Sequence, residues 1–150
     1  MLIFLRNFAK KIGVDVLYLD DIDEDGCYLP EHNVIYIHPG LSEYEEIQVL
    51  SHELSHASKH KNFYNEYRDS YISHCKAENE ADIEAVKTSL SHYLNNAQMT
   101  DRSQLNWIYF MDCYNIDYSL EPVVKKWMPI IYQIDLKYVK TVIYKGAYIP

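Results

Sequence analysis

Apolar residues at Leu2, Leu5, Phe8, Ala9 and Ile12 recur at helical spacing, and Gly13 follows where a helix C-terminus would put it. A short first helix is expected over residues 2 to 12. From Val14 the pattern changes: Val14, Val16 and Tyr18 alternate with Asp15, Leu17 and Leu19, which predicts a strand buried on at least one face. Cys27-Tyr28-Leu29 and Val34-Ile35-Tyr36-Ile37-His38 flank Pro30-Glu31-His32-Asn33, the pattern of a β-hairpin with a short connection, and Pro39-Gly40 stops its second strand. Ser42 followed by Glu45 is a capping box and starts a helix just past Ser42. Along that helix Ile47, Leu50, Leu54 and Ala57 form one apolar stripe, and Val49, His52, Glu53 and His56 form a neighbouring one. The helix can bury one face and aim the other into a cleft.

Asn62 to Ser73 carries Tyr64, Tyr67 and Tyr71 without a clear period and reads as a loop or short irregular helix. A second long helix is expected from about Lys76 to Leu94, with Ala81, Ala85, Leu90 and Leu94 available for packing and Asn95-Asn96 ending it. Gln104 to Tyr114, dense in aromatics at Trp107, Tyr109, Phe110 and Tyr114, reads as a core helix. Pro122 suits the first turn of a last helix that ends near Pro129, with Val123, Val124 and Trp127 facing inward. Residues 130 to 144 satisfy neither period and take no assignment. The expectation is one α+β domain over residues 1–150: a short sheet with a hairpin packed on the histidine-bearing helix in residues 1–94, and a mainly helical part in 95–150.

Composition alters this picture in two ways. The net charge of -8 and pI near 5.3 argue against a partner gripped through phosphates, so no nucleic acid is expected and a protein or peptide partner is easier to accommodate. Cys27, Cys75 and Cys113 are odd in number, widely spaced and without a C-x-x-C pair. That fits neither a disulfide framework nor a cysteine zinc site, and a reducing cytoplasm suits it. Met1 to Leu5 is apolar but stops at Arg6, too short for a signal-peptide core or a membrane span. A soluble, cytoplasmic protein is expected.

The chemistry concentrates at His52-Glu53-Leu54-Ser55-His56, an H-E-x-x-H sequence. Two histidines four residues apart on a helix lie about 40° apart in projection, close enough to hold one metal ion, and Glu53 is placed to take a proton from a water acidified by zinc. A surface helix that merely carries two histidines is the competing reading. A catalytic zinc usually has three protein ligands, and Glu78, far enough past His56 for a loop and a return helix, can be the third. Asp82, one turn later on the same face, would accept the free ring N–H of a ligand histidine, His52 being the candidate. Acidic residues are also favoured at a helix N-terminus, which is the plainer explanation for both. Glu80 is rotated about 200° from Glu78 and would point away. His60, beside Lys59 and Lys61 at the helix end, reads as a surface residue rather than a ligand. Asp21, Asp23, Asp25 and Gly26 match half of an EF-hand loop, but His32 stands where the bidentate glutamate belongs, so a solvated acidic turn is the better reading.

Together these features resemble the ImmA/IrrE-type metallopeptidases, small cytoplasmic zincins common in phages and mobile elements. The matching residues are Gly26 to Pro30, Val34 to Ile37, His52 to His56, and Glu78-x-x-Ala81-Asp82-x-x-Ala85, with a weaker likeness from Met111 to Val124. The resemblance implies a small zincin-like fold, a gluzincin-like zinc site with ligands His52, His56 and Glu78, Glu53 as general base, and cleavage of a helix-turn-helix repressor. Two positions depart from the family pattern: Ser55 stands where glycine is frequent, and Glu84 where an aromatic is usual.

Zincins also need a donor for the oxyanion of the tetrahedral intermediate. His92 shares the Glu78 face but lies about 21 Å away along a continuous helix. His74, Tyr64, Tyr67 and Tyr71 are better placed, and His74, one turn before Glu78, is the candidate. A substrate peptide is expected to pair with Val34 to His38 if that strand is a sheet edge. Two alternatives to a peptidase remain: a non-proteolytic zincin-fold regulator that sequesters a repressor, and a zinc hydrolase of small amides.

Overall fold

The computed structural model describes residues 1–60, 70–96 and 105–146, with side chains described as far as residue 133. Helix α1, Leu2–Lys11, buries Leu5 and Ala9 as its spacing requires. It ends at Gly13, whose φ of 73° lies in the left-handed region that favours glycine and turns the chain into strand β1, Asp15–Tyr18. Strands β2, Gly26–Leu29, and β3, Val34–Ile37, form the expected hairpin. Asn33 closes its turn at φ 56° and ties it down on both sides: Oδ1 accepts from the Tyr28 hydroxyl, and Nδ2 donates to the Gly13 carbonyl.

The sheet order is β1-β3-β2. β1 runs parallel to β3, with Asp15 opposite Val34, and β2 runs antiparallel to it, with Gly26 opposite Ile37. The condition for peptide pairing along Val34 to His38 is not met, because β3 is paired on both sides and its Ile35 and Ile37 are fully buried. The edge nearest the histidines is β2. β1 is also more exposed than its alternation predicts: Val14, just before it, is buried, whereas Leu17 and Tyr18 are open to solvent.

Helix α2, Glu43–Ser55, starts in a complete capping box, with Ser42 Oγ accepting from the Glu45 N–H and the Glu45 carboxylate accepting from the Ser42 N–H. Ile47, Leu50, Leu54 and Ala57 are all buried, as the stripe predicts. Arg6 of α1 and Tyr18 of β1 both donate to Glu46, which joins three elements at one carboxylate. One π-helical turn, His56–His60, extends α2. Helix α3, Tyr71–Asn96, then packs back on it, burying Ala77, Ala81, Ala85, Val86 and Leu90. It starts earlier than the spacing from Lys76 predicts and takes in Tyr71 to Ser73, while Tyr64 and Tyr67 lie outside the described residues.

Helix α4, Trp107–Cys113, is a shorter version of the aromatic helix, with Phe110 and the following Tyr114 buried. Helix α5, Glu121–Gly146, departs from expectation by running through Pro129 instead of ending there. A proline inside a helix removes one hydrogen bond and crowds the preceding turn. Met128, Ile131 and Tyr132 are buried on both sides of it, so packing against the core holds the helical backbone across the defect. Among the described residues no helix is long and apolar enough to cross a membrane.

Candidate metal centre

The site is built where α2 and α3 cross beside the edge of β2. His52 meets Asp82 while His56 meets Glu78, so contacts that advance along α2 retreat along α3 and the helices run antiparallel. Gly26 allows the sheet to approach: a Cβ there would stand 2.5 Å from Val49 Cγ1, so only glycine lets β2 lie this close to α2. The glycine that resembles part of a calcium loop is therefore a packing residue. Asp21, Asp23 and Asp25 are not among the side chains gathered at a common point.

Among the described residues, His52, His56 and Glu78 form the one group whose ligand atoms converge. The Nε2 atoms of His52 and His56 are 3.0 Å apart, and Glu78 carboxylate oxygens lie 3.3 Å from His52 Nε2 and 3.5 Å from His56 Nε2. Donors held about 2.0–2.1 Å from a zinc ion in a tetrahedron stand about 3.3 Å from one another, so these spacings fit such an ion without rearrangement. Two imidazoles and a carboxylate, with a side open to the cleft, are also the donor set of catalytic rather than structural sites. Burial opposes a charge on His52, but hydrogen bonds to Asp82 and Glu78 and the field of Glu53 outweigh it and push its pKa up to about 10. The position strongly favours positive charge.

Asp82 lies where the spacing predicts, with Oδ1 3.0 Å from His52 Nδ1. As a carboxylate it only accepts, so it holds a proton on Nδ1, and when the ring gives up its second proton to bind a cation Nε2 is the atom left with the lone pair. Glu53 is buried against the cleft wall. Burial raises its pKa while His52, His56 and the backbone N–H of Tyr28 pull it down, and the net shift is upward, toward a stronger base.

The cleft has a volume of about 340 Å³ and is bounded by Gly26, Cys27 and Tyr28 of β2 opposite His74 and Glu78 of α3. Cys27 faces it as a thiol, because burial and the charges of Glu53 and Glu24 push its pKa up. His74 stands at the mouth, half-exposed, with Nδ1 3.9 Å from Glu78. Tyr71 is 84% exposed. His92 is far from the cleft and buried against Tyr114, as helix continuity requires.

One residue read from the sequence as a surface residue lies in the site, and its partner is Glu80, which was expected to point away from the ligands. His60 is only 14% exposed and lines the cleft, with Nδ1 3.1 Å from His56 Nδ1. Glu80 points away from the ligand cluster but toward His60, with Oε2 3.3 Å from Nε2. The signal was the repeated four-residue step from His52 to His56 to His60, which continues one helix face past the motif. Of the two departures from the family pattern, Ser55 is buried with its hydroxyl lacking a hydrogen-bond partner among the described residues, and Glu84 is held between Lys59 and Lys87.

The family described as the IrrE N-terminal-like domain, a metallopeptidase family, matches residues 9–109. That span contains the three converging side chains, Glu53 and Asp82. Comparisons with curated proteins and with solved structures give no match.

Proposed function

The chain belongs to the IrrE N-terminal-like domain family of metallopeptidases, and from that premise we propose that it is a zinc-dependent endopeptidase. The observation that carries this reading is the convergence of His52, His56 and Glu78 at 3.0–3.5 Å beside the buried carboxylate of Glu53. A zinc ion held by the three would acidify a water to a pKa near 7 and polarise a peptide carbonyl. Glu53 takes the proton of the attacking water on a carboxylate oxygen and returns it to the departing amide nitrogen, a role suited to a carboxylate whose pKa burial has raised. Tyr28 N–H holds that carboxylate against β2. His74, at the cleft mouth, donates to the developing oxyanion. An extended peptide pairs along β2, the open edge bordering the cleft, with alternate side chains directed in and out.

The substrate we propose is a helix-turn-helix repressor of a phage or mobile element, cleaved in the bacterial cytoplasm. The resemblance to ImmA/IrrE-type proteins and a net charge of -8, which disfavours direct binding to nucleic acid, support it. Incubating the protein with a candidate helix-turn-helix repressor should yield two fragments by intact mass, and a chelator should stop their formation. Glu53→Gln should lower the cleavage rate by about 10²–10⁴-fold while zinc remains bound. A Glu53→Gln protein that relieves repression as well as wild type would establish the non-proteolytic, sequestering role instead.

A further inference from the structure

A histidine that binds a cation through Nε2 must carry its ring proton on Nδ1, and some group must accept that proton. For His52 the acceptor is Asp82. For His56 the atom in that place is a second ring nitrogen, His60 Nδ1, at 3.1 Å. Two ring nitrogens share a hydrogen bond only if one carries the proton and the other a lone pair. Glu80, one partner of His60, favours the lone pair on His60 Nδ1: Oε2 lies 3.3 Å from His60 Nε2 and, as a carboxylate, can only accept. The proton of a neutral His60 therefore sits on Nε2, its Nδ1 keeps a lone pair, and His56 donates to it from Nδ1. His56 Nε2 is then left as a lone pair facing His52 Nε2 and Glu78, where a ligand atom is needed. The other tautomer of His60 sets two N–H groups against each other or moves the His56 proton onto the ligand position.

We propose that His60 and Glu80 are positioning residues for His56, a His–Glu relay that holds its ring and tautomer for metal binding as Asp82 does for His52. This rests on the zinc-site reading above. His60 is well shielded and Glu80 is 43% exposed, so His60 carries the larger share.

The test is zinc affinity of the full chain, measured by competition with a chromogenic chelator at one neutral pH. His60→Leu is expected to weaken zinc binding about 10-fold or more. His60→Asn, whose Oδ1 replaces the accepting nitrogen, should recover part of that loss. Glu80→Leu should weaken binding by a smaller factor in the wild-type background and by nothing further in His60→Leu, because it acts only through His60. The visible spectrum of the cobalt-loaded protein should keep its band positions in His60→Leu, since His60 is not itself a ligand. Wild-type affinity in His60→Leu, additive losses in the double variant, or cobalt bands that report a lost nitrogen ligand would each overturn the relay. If His60→Leu does not fold, the Glu80→Leu affinity decides it: a loss supports the relay, and wild-type affinity overturns it. A wild-type protein that takes up no zinc would instead overturn the peptidase reading.

Discussion

His52 and His92 are both shielded from water, and they titrate in opposite directions. His52 faces the carboxylates of Asp82 and Glu78, and its pKa is pushed up to about 10. His92, on the far part of α3, has Nδ1 2.7 Å from the Tyr114 hydroxyl and Nε2 2.7 Å from the Asn96 amide nitrogen, both neutral groups. Asn96 donates to Nε2 and Nδ1–H donates to Tyr114, so the ring is satisfied without charge. Burial, helped by the nearby N-terminal ammonium, then pushes its pKa below the ordinary 6.5. Burial opposes protonation at both rings; the partners decide the outcome. One part of the α2/α3 pair gathers the donor set of a candidate cation site, and the other is a hydrogen-bonded plug in a core of Tyr93, Phe110 and Tyr114.

Removing the charged partner of His52 should have the largest effect on the two rings. Asp82→Leu should weaken zinc binding by about 10–100-fold in chelator competition. Tyr114→Phe should leave that affinity unchanged, so an equal loss from both would show that the two histidines are not independent. Tyr114→Phe should instead cost about 1–3 kcal/mol of folding stability in denaturant, because it leaves a buried ring N–H without its acceptor.

A smaller effect separates the two rings by pH in zinc-free protein. His52 has a folded pKa above its ordinary 6.5, so its contribution to stability is fully present below 6.5 and is lost as pH rises toward about 10. His92 has a folded pKa below 6.5, so its contribution is present above 6.5 and is lost as pH falls through the folded value. Denaturant midpoints scanned on both sides of 6.5 should fall in both directions. His92→Gln should flatten the acid limb only; an acid limb that survives His92→Gln would assign it to other groups.

Much of the scaffold was legible because it depends on neighbours in sequence. The helix start at Ser42 and Glu45, the stripe from Ile47 to Ala57 and the turn at Pro30 to Asn33 are local, and each is found where its pattern predicts. The convergence of His52, His56 and Glu78 was legible too, since one helical period places the first two together and an antiparallel return places the third. Pro129 misled for the same local reason: a helix-breaking residue says nothing of Met128, Ile131 and Tyr132, whose burial keeps α5 going.

The sequence by itself determined the α+β composition, the H-E-x-x-H helix, its cap and the acidic return helix, because hydrophobic period, capping and helical spacing are written in residues a few positions apart. Only the tertiary structure decided that β3 lies inside the sheet and β2 borders the cleft, that Gly26 is needed for the sheet to reach α2, and that His60 turns from a surface histidine into the neighbour of His56 and Glu80. Those outcomes depend on which strand pairs with which and on how two helices face each other, contacts between residues distant in the chain that no local period encodes.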